Sequence, residues 1–189
     1  MKKAVYFMAA TAVLLALSSC SKEQGNGGGE GGNVLEASVN ASESGVWQYF
    51  SFAEGKVVGS GYVFMLIDGS GKEDETDNAA WAARTDWDIA INRYSIRTNS
   101  GEASSTGAKG GVYTFDSTVT FDSVAEVPAG ATFSTDKAVT SEGMGGTTTT
   151  VKSEATVILF KTDAEGNKVM PPVYLQAPVY LFRSADGNH

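Results

Sequence analysis

From Val34 onward, apolar and polar side chains alternate in short runs separated by glycine, serine, threonine and aspartate. Alternation of period two sends successive side chains to opposite faces of a strand, and the spacing that would mark a helix does not recur. The pattern predicts strands at 34–39, 47–52, 62–67, 87–96, 112–115, 118–124, 147–152, 156–160, 173–175 and 179–182. One stretch departs from it. Asp77-Asn78 caps the helix formers Ala79-Ala80-Trp81-Ala82-Ala83-Arg84, so one or two helical turns are expected there. No unit repeats at a fixed period, which argues against a solenoid or propeller. The prediction is an all-β fold, a single antiparallel β domain with one core and at most short helical turns.

The N-terminal segment follows other rules. Lys2 and Lys3 precede an apolar run from Ala4 to Leu17, and Leu17-Ser18-Ser19-Cys20 closes it. This is the layout of a secretory signal peptide whose lipobox leaves Cys20 as a lipidated N-terminus. The run is shorter than the about 20 apolar residues that a permanent spanning helix needs. Residues 1–19 are therefore a signal peptide, outside the fold. Several acyl chains on Cys20 anchor durably where a single chain is marginal. Residues 20–33 are glycine-rich and form a flexible tether, with a reach on the order of 20 Å. Ser21-Lys22-Glu23 resembles the short charged signals that send some lipoproteins to the cell surface. The expectation is an outer-membrane lipoprotein exposed at the surface, with residues 34–189 as its folded domain. Cys20 is the only cysteine, so no disulfide supports the fold.

At the other end a strand at 179–182 is followed by the turn signal Asp186-Gly187, and the sequence stops two residues later. Either the domain is truncated at its C-terminus or this strand is an edge.

Charge and residue chemistry narrow the function. The formal net charge is -8, and -10 once Lys2 and Lys3 leave with the signal, which argues against nucleic acid and anionic lipid as partners. The only histidine is the terminal His189, so Ser-His-Asp and Cys-His catalysis and histidine-based zinc sites have no basis. Asp86 and Asp88 share a strand face, as a glycosidase pair would, but an Asp-x-Asp at a strand start is more often a cap with solvated charges. The glycine-rich stretches at 107–111 and 143–146 lack the Gly-Lys-Ser/Thr ending of a phosphate loop and read as bends. No enzyme is expected.

Methionine placement says more. Met1 and Met8 leave with the signal, and Met65 lies in an apolar strand. Met144 is the one apolar side chain in Ser141-Glu142-Gly143-Met144-Gly145-Gly146, and Met170 stands before Pro171-Pro172. Flanking glycines let the backbone approach a flat ligand, and thioethers are soft ligands known as axial ligands of haem iron. The plainer reading makes Met144 a loop residue and packs Met170 beneath Pro171 and Tyr174. Spacing and composition alone favour the plainer one.

Three segments are similar to the HmuY family of haem-binding lipoproteins from Gram-negative bacteria. They are Trp47-Gln48-Tyr49-Phe50-Ser51-Phe52 with Gly55-Lys56-Val57-Val58; Asp86-Trp87-Asp88-Ile89-Ala90-Ile91-Asn92-Arg93-Tyr94-Ser95-Ile96-Arg97-Thr98-Asn99-Ser100-Gly101; and Met170-Pro171-Pro172-Val173-Tyr174 with Arg183-Ser184-Ala185-Asp186-Gly187. The resemblance implies an all-β domain that clasps one haem (iron protoporphyrin IX) between loops for haem and iron acquisition, and passes it towards an outer-membrane haem receptor. It also implies two axial side chains on the iron, histidines in some members and methionines in others. Met144 and Met170 are the positions that match. Members usually continue through further strands after the Asp-Gly turn. The alternatives are a surface glycan-binding lipoprotein stacking sugars on Trp47, Trp81 or Trp87, and a structural lipoprotein without haem. Such aromatics are more often core.

Overall fold

A computed structural model of the chain describes residues 12–18, 34–65, 71–73, 75–143, 146–157, 159–171, 173–175 and 179–188. Strand β1 (Ala12–Ser18), which overlaps the apolar run at 4–17, pairs antiparallel with β2 (Val34–Asn40). Then come β3 (Val46–Ser51), β4 (Lys56–Met65), β5 (Gly71–Glu73), helix α1 (Glu75–Ala82), β6 (Ile89–Asn92) and β7 (Ser95–Thr98). Five of these strands form an antiparallel sheet in the order β5-β4-β3-β6-β7. Two hairpins and a strand pair complete the fold, and the expected all-β antiparallel architecture is what the chain adopts.

β3 explains the layering. Its residues are buried on both faces apart from the half-buried Gln48, so both sides of the sheet need cover. Trp47, Tyr49 and Ala90 face one side, with Trp81, Trp87 and Ala103. Phe50, Ile89 and Ile91 face the other, with Val39 and Ala41. The sheet thus divides what the sequence suggested as one core. The expected helical turns are α1, and its Trp81 ring lies flat on Tyr49, with centroids 3.8 Å apart and planes within 2°. Two glycines of β4 make room for it. A Cβ on Gly59 would stand 2.6 Å from the Trp81 ring, and one on Gly61 2.8 Å from the Tyr49 ring.

Three predicted elements come out differently. The run at 87–96 is a hairpin, because Arg93 adopts φ +51° and turns β6 directly into β7. Arginine there carries none of the glycine signal that marks such turns. The stretch at 118–124 is no strand but a 3-10 turn, Phe121–Ser123, whose Thr120 and Ser123 side chains and backbones cap each other. Asp116 likewise accepts from the Thr118 amide and hydroxyl. These short polar side chains satisfy the backbone locally and so compete with a ladder. The third difference is at 156–160, where, among the described residues, only Leu159 and Phe160 are strand and Thr156 makes an isolated bridge to Ser95.

Candidate functional site

Strands β8 (Gly111–Thr114), β9 (Lys137–Gly143), β10 (Gly146–Lys152), β11 (Leu159–Phe160), β12 (Tyr174–Leu175) and β13 (Tyr180–Arg183) build the rest of the domain. The polar sequence of β9 gave no strand signal, yet it pairs with the expected strand β10 from Lys137↔Lys152 to Gly143↔Gly146. Met144 falls in the two-residue connection between these glycines and lies outside the described residues, as do Cys20 and His189.

The second methionine is carried by the hairpin β11–β12. Asp163 shapes its inner turn, accepting from the amides of Glu165 and Asn167 at 3.1 and 2.8 Å. On the way back the chain pairs twice with the outgoing strand. Val169 donates to the Lys161 carbonyl at 3.1 Å, and the Lys161 amide donates to the Val173 carbonyl at 2.8 Å. Met170 and Pro171, between these two contacts, make no ladder bond, and Pro171 has no amide hydrogen to give one. Met170 therefore stands on an excursion fixed at both ends. It is 79% exposed, so it is not packed beneath its neighbours as the plainer reading had it. Leu159 and Val173 of the same hairpin are exposed as well. A thioether held out in solvent on a hairpin that also exposes Leu159 and Val173 fits a flat apolar group with a soft metal centre.

Both methionine hairpins are rooted on the β6–β7 hairpin. Buried Arg97 donates from Nε to the Val151 carbonyl of β10 at 2.8 Å and from its terminal nitrogen to the Tyr49 hydroxyl at 3.0 Å, with its guanidinium 4.3 Å from the Trp47 ring centre. Three residues earlier, Tyr94 meets the Phe160 ring of β11 edge-on at 5.2 Å, and its carbonyl accepts from the Thr156 hydroxyl at 2.6 Å. Between the two roots lies a cleft of about 370 Å³ lined by Tyr94, Lys137, Val139 and Lys152 among others. It sits at the foot of β9–β10.

Asp136, just before β9, staples the same foot to the loop after β7. Its carboxylate accepts from the Thr98 amide at 3.0 Å and the Thr98 hydroxyl at 2.6 Å, and its own amide donates to the Ser100 hydroxyl at 3.1 Å. Burial pushes its carboxyl up to about 7, against the lowering effect of the Thr98 bonds and of Arg97. Glu102 is the acid on this side, its amide donating to the Asp136 carbonyl at 3.1 Å. In the unfolded chain the group titrates near ~3.9, so the folded state holds the extra proton between those values. The stabilising contribution is complete below the unfolded value and is lost as pH rises to about 7. Between pH ~5 and pH ~8 the domain is expected to lose about 2 kcal/mol from this group, measured by urea unfolding. Asp136→Asn should remove that part of the slope; an unchanged slope would assign it elsewhere.

Asp86 and Asp88 divide. Asp86 is exposed and paired with Arg84 at 2.6 Å, as a solvated charge. Asp88 is buried, which corrects the expectation for it. Its two oxygens accept from the Phe52 amide at 2.7 Å and the Ala185 amide at 2.8 Å. Burial raises its carboxyl above the usual range, the two amides opposing. It is a latch joining the C-terminal segment to the turn after β3. The C-terminal strand β13 itself pairs with β8. The three tryptophans are all buried, Trp47 and Trp87 at 1% exposure and Trp81 at 7%, which removes the stacking platform of the glycan alternative.

Sequence reasoning passed over Tyr94, Arg97, Asp136 and Lys168, whose roles depend on partners far along the chain. Among the described residues, no three histidines, cysteines or acidic residues cluster to hold a metal ion, and no helix is long and apolar enough to cross a membrane. Compared with known proteins, residues 43–189 match the family model described as HmuY protein. No curated protein matches the chain.

Proposed function

Because the chain belongs to the HmuY family, a haem-binding and non-enzymatic family of haem acquisition, we propose that this domain binds one haem through Met144 and Met170. The observation that carries the reading is Met170, lifted out of the ladder and exposed beside Leu159 and Val173 on a hairpin pinned on either side. Haem supplies an iron centre that accepts soft axial ligands, and methionine is among the side chains that serve. The protein's part is to hold two thioethers on separate hairpins and to root both on one support, through Arg97 and Tyr94. Titrating the domain without its leader with haemin should give a saturable Soret change at one equivalent. No saturable change would sink the reading.

The family is envelope-associated or extracellular, and the proposal extends to how this member is held there. Cys20 carries the lipid anchor after removal of residues 1–19, residues 20–33 act as the tether, and the protein hands haem to an outer-membrane receptor from the cell surface. Intact mass of membrane-extracted protein tests the anchor. It should show acyl chains on Cys20 and none in Cys20→Ser, and an unmodified wild-type N-terminus would contradict it.

A further inference from the structure

We propose that Arg93 and Lys168 form a carboxylate-binding rim beside Met170, one that recognises the two propionates of the haem. The inference rests on the haem reading and adds to it the part of the ligand that is not iron. Lys168 lies two residues before Met170, and its ammonium stands 4.1 Å from the centre of the Phe160 ring and 6.0 Å from that of Tyr94. The Arg93 guanidinium approaches the same Tyr94 ring at 5.3 Å. Two cations thus converge on one aromatic pair, and Tyr94 and Phe160 are themselves in edge contact.

Neither cation has a carboxylate partner among the described residues. Ring faces hold a cation in place without neutralising it. That leaves charge available to an incoming anion. Arg93 is placed there by its left-handed turn conformation, φ +51°, and by its amide donating to the Ala41 carbonyl at 3.0 Å. Lys168 is placed by its bridge to Thr162. A porphyrin held at the exposed Met170 has two carboxylates to place, and charge-assisted bonds to this rim would fix its orientation.

The test compares haemin with its dimethyl ester, which keeps the ring and iron and lacks both negative charges, in one mixed solvent at low salt. Lys168→Gln is expected to weaken haemin binding about fivefold, and the variant with Arg93→Gln added about twentyfold, with ester binding unchanged. Added salt should narrow the difference between wild type and variants for haemin only. Equal losses for both ligands, or no loss for haemin, would overturn the rim while leaving the haem reading intact. If wild-type protein binds neither ligand, both fall. Thermal unfolding of the ligand-free variants should match wild type, which separates a lost contact from a damaged hairpin.

Discussion

Met170→Ala is expected to weaken haem binding about tenfold or more while leaving the domain folded, and Met144→Ala to do the same. The size of the loss follows from removing an axial bond, since even changes one shell further out cost about 10- to 100-fold at metal sites. The folding half of the expectation follows from exposure. With most of its surface in solvent, the Met170 side chain contributes little packing, and its truncation leaves no cavity. The backbone there is fixed by the Val169–Lys161 and Lys161–Val173 hydrogen bonds rather than by the thioether. Haemin titration and thermal unfolding of the same preparations check both halves. Wild-type affinity in both variants would end the assignment, and a loss in only one would place the second ligand elsewhere.

The largest effect on stability is expected at Asp88. Asp88→Ala strands two amides, Phe52 and Ala185, that the carboxylate now satisfies from one buried position. Each orphaned buried donor costs about 1–3 kcal/mol, so the domain should lose roughly 2–5 kcal/mol. For a domain of this size that lowers Tm by about 5–15 °C. Asp88→Asn keeps one acceptor and should fall between. The ionised carboxylate has its own burial cost, visible in its raised pKa, and that cost trims the loss. A Tm within a degree or so of wild type would show that the C-terminal segment is fastened by the β8–β13 ladder alone.

The fold class was legible because alternation is a local property, and strands such as β3 and β10 announce themselves by composition. What was not legible depended on distant partners. β9 carries only Ala138 and Val139 as apolar residues and becomes a strand because the threonine-rich β10 lies against it. The segment at 118–124 has strand composition, but its hydroxyls satisfy the backbone where they stand. Asp88 and Asp136 look alike in sequence to any surface aspartate; burial by residues 36 or more positions away changes their chemistry. The site was half readable. The unusual settings of Met144 and Met170 could be seen directly, whereas their shared support could not, because Tyr94 and Arg97 reach Phe160 and Val151 across more than 50 residues.

That shared support also accounts for why the longest stretch of family resemblance, 86–101, contains neither methionine. It holds the latch Asp88, the turn residue Arg93 and both roots, so the similarity falls on the frame from which the two methionine hairpins extend.

The most direct measurement of the central claim is iron-edge X-ray absorption on the haemin-loaded domain. The account predicts two sulfur neighbours in addition to the porphyrin nitrogens, with one lost in Met170→Ala and one in Met144→Ala. A first shell of nitrogen and oxygen alone, unchanged in either variant, would contradict it.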